Sequence, residues 1–294
     1  MIRRSITRRF VNGLRYNSYI PTCPPPSYDT GCTYCQVPEF KEPIDFSKNL
    51  NGTKVLPWKH VLILSHGCSS FDEMPSKIEM VPQSINSDIE MMKKELISAF
   101  HPIMISNIIL TNQKQVLGKF RIESSQDQLV YLYPDRKIIR FKRENLKQFI
   151  QNYLVPKDYK QSEVYNPFKT RQIDRHEVVE NIDQTLFEEF PIEKDLILIC
   201  GHTKRDIRCG VLGPLLQQEF EEVLSIENLD ESSELGLISH VGGHVYAGNV
   251  ILFPQDNKKI IWYGRVFPEN VQGIVRETMK NDKIIKDLYR GVIE

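Results

Sequence analysis

Leu196-Ile-Leu-Ile-Cys200-Gly-His-Thr-Lys-Arg-Asp-Ile-Arg-Cys209-Gly210 and, further on, Leu235-Gly-Leu-Ile-Ser-His240-Val-Gly-Gly-His244 decide how this chain is read. Each stretch opens as a short apolar run, the mark of a buried strand, and ends in residues that ligate metals. Two such strand ends deliver two thiols and two imidazoles, Cys200, Cys209, His240 and His244, to one edge of a sheet. Thiolates with imidazoles suit zinc or an iron–sulfur cluster and suit calcium or magnesium poorly. Zinc knuckles hold their cysteines about two to four residues apart. Here eight residues lie between Cys200 and Cys209, enough to wrap a larger object. Gly242 and Gly243 carry no side chain and admit positive φ, so the backbone between the histidines can approach a bulky group. An inorganic cluster fits this spacing better than a single ion. Zinc in the same four ligands is the alternative, and an unmetallated thiol pair is the third reading.

The same residues carry a resemblance. Cys-Gly-His-Thr-x-Arg-Asp-x-Arg-Cys-Gly followed by His-x-Gly-Gly-His-x-x-Ala-Gly-Asn resembles the sucrase/ferredoxin-like family of thioredoxin-like [2Fe-2S] proteins. The likeness continues through Asn249-Val-Ile-Leu-Phe-Pro254 and Trp262-Tyr-Gly-Arg-Val266. With its arginine-rich start, the chain most resembles the fungal mitochondrial branch of that family. The resemblance implies a [2Fe-2S] cluster held by Cys200, Cys209, His240 and His244. It also implies one-electron transfer or redox sensing in thiol homeostasis, with thiol-containing mitochondrial redox proteins as partners. Around those ligands stand His202, Arg205, Asp206, Arg208, Gly242 and Gly243. Arginine or backbone N–H near the sulfides would stabilise a reduced cluster and raise its potential. Asp206 tying the loop to Arg205 or Arg208 is the plainer role.

Composition narrows the class. The chain has 294 residues, 40% apolar and 26% charged, which is the balance of a globular protein with room for two domains. No apolar run is long enough to span a bilayer. Residues 1–20 hold Arg3, Arg4, Arg8, Arg9 and Arg15 and no acid, with Ile2, Ile6, Phe10 and Leu14 at helical spacing. That pattern reads as a mitochondrial presequence. Without it the chain has 33 basic and 38 acidic residues, which argues against a nucleic-acid partner.

Cys32-Thr-Tyr-Cys35 is a CxxC pair and supplies two possible redox thiols, the basis of a thiol-oxidoreductase alternative. It follows a proline-rich run and precedes any strand, which is the wrong place for a thioredoxin active site. Cys23, Cys32, Cys35 and Cys68 are also the material for a second metal site. His60, His66, His101 and His176 have no ligand-like company. No Ser-His-Asp or paired-carboxylate arrangement supports hydrolysis, so a redox protein is expected rather than a hydrolase.

Apolar periodicity predicts strands at 59–64, 105–112, 128–133 and 137–141, with helices at 87–101 and 144–154. The second half repeats the order: strands at 195–200, 235–239, 250–253 and 259–266, and helices at 211–224, from 268, and around 283–289. The fold class is therefore α/β, with two tandem thioredoxin-like αβ domains, the C-terminal one a thioredoxin-like ferredoxin. The expected divisions are a presequence at 1–20, a cluster-free domain at 21–156, a linker at 157–185 and a ferredoxin domain at 186–294. The N-terminal counterpart of the histidine loop falls at 111–115, which offers no Cys or His.

Overall fold

The computed structural model describes residues 18–96, 101–156, 183–256 and 259–293. Apolar runs rich in Ile, Leu and Val become strands that are buried on both faces. In chain order the elements begin with β1 (Ser18–Ile20), β2 (Lys59–Leu64), α1 (Ile85–Leu96), β3 (Ile103–Leu110), α2 (Gln113–Lys119), β4 (Asp127–Tyr133), β5 (Lys137–Lys142) and α3 (Leu146–Tyr153). There follow β6 (Phe187–Pro191), β7 (Asp195–Cys200), α4 (Ile207–Ile226), β8 (Ser233–Ile238), β9 (Val250–Phe253) and β10 (Ile260–Tyr263). Helix α5 (Val271–Gly273) continues as a π-helix (Ile274–Lys280) and leads to β11 (Lys283–Ile285) and β12 (Tyr289–Ile293).

Ten strands form one sheet in the order β12-β10-β9-β7-β8-β3-β2-β4-β5-β6. Strand β2 runs parallel to β3 and antiparallel to β4, which is antiparallel to β5. Strands β7, β8, β9 and β10 repeat that pattern. Each half thus has the strand order second-first-third-fourth of a thioredoxin-like layer. The halves meet where β3 pairs antiparallel with β8, Ile108 opposite Ile238 and Leu110 opposite Gly236. The sheet has no break at the boundary expected between two domains. Val61, Ile63, Val130 and Leu132 cover one face of the N-terminal strands against α1 and α3. Leu62, Leu64, Tyr131 and Tyr133 on the other face join the core of the C-terminal half. There Tyr133 packs on Phe253 at 4.5 Å and the Tyr131 hydroxyl donates to Glu234 at 3.0 Å.

Residues 18–54, expected with the leader and the N-terminal domain, lie along the C-terminal half. Strand β1 pairs parallel with β11. The Ser27 amide donates to Gln272 Oε1 (2.9 Å), and the Asp45 and Gly52 amides donate to the carbonyls of Val245 (2.8 Å) and Arg290 (2.9 Å). This arm has too few apolar residues for a core of its own, so its polar backbone finds partners on α5, β12 and the histidine loop.

Three further expectations are corrected, and one strand is new. Helix α4 starts at Ile207, not 211, which puts Cys209 on the helix. The segment 283–289 forms β11, a 3-10 turn and the start of β12, because both strands find edges to pair with. The loop expected at 111–115 leads directly into α2. Strand β6 carried no sequence signal. The expected linker lies outside the described residues except for the Gln184–Leu186 turn that leads into β6, and the leader lies outside them up to residue 17.

Ser18–Ile20 were assigned to the leader, yet Tyr19 packs edge-on against Tyr289 at 5.9 Å. A chain starting at Asn17 should therefore match the full chain in urea denaturation. One starting at Pro21 should lose about 1–2 kcal/mol, the worth of a ring pair and a few backbone bonds. Equal midpoints for the two would make β1 dispensable.

Candidate metal centre

Cys200 ends β7 and Cys209 lies in the first turn of α4; both are buried. The helix starts there because Asp206 caps it, accepting the Arg208 N–H at 3.0 Å. The same carboxylate accepts Arg208 Nε at 2.9 Å and Nη2 at 2.8 Å, a two-pronged ion pair that closes the loop. Arg208 is buried and also donates to the Pro43 carbonyl at 3.1 Å. Helix and strand approach closely because Gly213 carries no side chain: a Cβ there would stand 2.7 Å from Gly201 Cα. Ligand atoms of Cys200, Cys209 and His240 all lie within 4.8 Å of one another.

The two thiols share their protons unequally. A hydrogen bond from Cys209 holds Cys200 well below the usual thiol range, although burial opposes it. The His240 ring and the Val241 N–H add to the effect. Cys209, as the donor, is pushed well above that range. The N-terminus of α4 also favours negative charge at this point.

His240 follows β8, and the chain then turns through Gly242 (φ 80°) and Gly243 (φ 72°), left-handed conformations that glycine adopts without strain. His244 opens a 3-10 turn and is exposed, its ring 5.5 Å from that of His240. His240 Nδ1 is buried and has no hydrogen-bond partner. His202 holds the loop from below. Its Nε2 donates to the Pro75 carbonyl at 3.0 Å, which leaves Nδ1 to accept the His240 N–H at 3.4 Å. Burial lowers the His202 pKa, in keeping with that neutral tautomer, and Phe71 packs on its ring at 5.6 Å. Arg290 Nη1 reaches the Gly242 carbonyl at 3.3 Å.

The sucrase/ferredoxin-like family profile matches residues 50–291. The chain belongs to that family. A protein of Meyerozyma guilliermondii named altered inheritance of mitochondria protein 32 is 47% identical, over 99% of this chain and 98% of its own. Its namesake in Clavispora lusitaniae is 50% identical over 94% of this chain and 96% of its own. These names agree with the mitochondrial destination read from the arginine-rich start. A solved thioredoxin-like [2Fe-2S] ferredoxin from Aquifex aeolicus is 20% identical and covers 35% of this chain and 94% of its own, with a TM-score of 0.29.

Within this family member the other sequence candidates scatter. Arg205 is exposed and gives only its backbone N–H to the His202 carbonyl, at 3.1 Å. Asp206 pairs with Arg208, the plainer of the two roles expected. Cys32 and Cys35 sit in a turn on the flank of α4, where Thr30 and Thr33 donate to buried Glu219, Thr33 at 2.8 Å. Burial, with Cys35 beside it, pushes the Cys32 thiol up to about 12, the reverse of an activated nucleophile. Cys23 packs near Asn270, and Cys68 lies by Gln113. Among the described residues these four do not gather into a metal site. His60 is buried and bonded to Ser106 at 2.9 Å.

If Asp206 is lost, buried Arg208 keeps as its anionic neighbour only exposed Glu42, at 3.6 Å. Asp206→Ala should therefore cost about 3 kcal/mol or more in urea denaturation, well beyond the roughly 1 kcal/mol of a cap alone. A cost near 1 kcal/mol would mean that the pair contributes little.

Proposed function

We propose that this protein is a mitochondrial electron-transfer or redox-sensing protein whose Cys200, Cys209, His240 and His244 hold a [2Fe-2S] cluster. The observation that carries this reading is the trio of buried Cys200, buried Cys209 and half-buried His240, with a second imidazole on the same loop. The donors suit the group chemically: two thiols, one already favoured as thiolate, and a buried Nδ1 of His240 that lacks a partner. The space beside Gly242 is open, with no atom within 4 Å of a Cβ built there. A single zinc would draw four donors to bonds of about 2.0–2.3 Å. His244 stands outside the trio, which a two-metal group accommodates more readily.

Cys200 and Cys209 would hold one iron and His240 and His244 the other, since each pair sits on its own segment. When bound, the cluster supplies reversible one-electron oxidation and reduction. The chain supplies the rest. The Val241 N–H and the N-terminus of α4 stabilise negative charge on sulfur, and His202 fixes the entry of the histidine loop. Exposed His244 marks the edge where a redox partner would dock, a thiol-bearing mitochondrial protein in this reading.

Anaerobic purification with absorption, iron and acid-labile sulfide measurements tests this reading. A red-brown protein with about two irons and two sulfides per chain is expected, and Cys200→Ser or Cys209→Ser should abolish the colour. A colourless protein carrying zinc would replace the reading with a structural metal domain.

The potential should also depend on pH. A ligand imidazole keeps an N–H on its second nitrogen, and exposed His244 can exchange that proton with water. The proton is held more tightly in the reduced state, which carries more negative charge. Between the two pKa values the potential should fall by roughly 59 mV per pH unit. Voltammetry giving a flat line from pH 6 to 10 would exclude histidine ligands with an exchangeable proton.

A further inference from the structure

Arg290 on edge strand β12 is 1% exposed, yet every group it binds is neutral. Nη1 donates to Asn249 Oδ1 at 2.6 Å and to the Gly242 carbonyl at 3.3 Å. Nη2 donates to the Thr53 carbonyl at 2.6 Å and Nε to the Thr53 hydroxyl at 3.1 Å. Trp262 and Tyr246 offer ring faces at 5.6 and 5.8 Å. Among the described residues no carboxylate pairs with it. A buried guanidinium without a counter-charge is costly, so a fold that keeps one has a negative charge for it to oppose.

Its position identifies that charge. Arg290 lies against the backbone between the two histidines, where a Cβ on Gly243 would stand 2.5 Å from Nη2. Only glycine leaves room for the guanidinium there. Burial lowers the Arg290 pKa to about 10 and the Cys200 charge opposes the shift, so it is cationic at neutral pH. Cys200, the thiol favoured as thiolate, is thus among the anionic sites that Arg290 senses.

We propose that Arg290 is a positioning residue for the metal centre, a fixed buried cation that orders the Gly242-Gly243 turn and offsets the negative charge of the thiolate ligands. This inference rests on the metal-centre reading above. Reduction adds negative charge to the centre, and a fixed cation beside it favours the reduced state. Arg290 therefore raises the potential without touching the reacting atoms.

The test uses the full chain with Arg290→Lys, Arg290→Gln and Asn249→Asp. The last keeps the arginine and places a carboxylate on Nη1, so it cancels the charge even if Arg290→Gln fails to fold. Arg290→Lys should stay near the wild-type potential. Arg290→Gln and Asn249→Asp should be at least tenfold more oxidised at the same poise, a fall of about 59 mV for one electron. Unchanged potentials in both charge-cancelling variants, or an equal fall in Arg290→Lys, would overturn the charge role. If the wild type binds zinc and no iron, the cluster reading fails. The turn-ordering role then predicts at least tenfold weaker zinc binding in Arg290→Gln, which loses the bond to the Gly242 carbonyl, and equal binding would sink it. A wild type that binds neither metal overturns both.

Discussion

Helix α4 lies against strand β7 about as closely as two backbones can, with Gly213 over Gly201. Cys209 precedes Gly213 by four residues and so lies on the same face of the helix, one turn nearer its start. That turn rests over the end of β7, where Cys200 points. The meeting of the two thiols is thus a consequence of a glycine contact one turn away. A side chain at 213 would lift the helix and separate the sulfurs, even with both cysteines intact. The third member of the trio, His240, depends on the same strand pair, because β8 runs parallel to β7 and ends beside it, with Cys200 opposite Ile238.

Several groups near this point offset the cost of negative charge on the buried Cys200 sulfur. The start of α4, the Val241 N–H and Arg290 all present positive ends toward it. Such an arrangement is costly without thiolates and stabilising with them, which is the physical basis of the proposed metal centre. Its supports come from far away in sequence. Pro75 receives His202, Pro43 receives Arg208, and Thr53 receives Arg290. The arm and the N-terminal half thereby brace the loops of the C-terminal half.

The matching place in the N-terminal half is filled differently. Ser65, one residue past β2, accepts Asn107 Nδ2 at 2.8 Å, and Gln113 Nε2 donates to the Ser65 carbonyl at 3.0 Å. Polar side chains and backbone thus occupy this place, and among the described residues no set of soft donors gathers there. The half that lacks ligands instead offers one sheet face as core for the other.

Local order alone made much of this legible. Runs such as Val61-Leu-Ile-Leu64 and Leu196-Ile-Leu-Ile199 announce buried strands because side chains on both faces are apolar, and Cys200, Cys209, His240 and His244 announce metal chemistry by residue type. The repeat of strand, helix and three strands followed from the same periodicity. Tertiary structure alone decided the rest. Residues 18–54 are irregular, and which half would satisfy their backbone depends on surfaces hundreds of residues away. Strands β6 and β12 exist because β5 and β10 have open edges, which one-dimensional periodicity does not record. In sequence Arg290 follows a stretch that reads as helix, and nothing there marks it as buried. Only the packing of Trp262, Asn249 and the Gly242-Gly243 turn removes it from water and makes its charge matter.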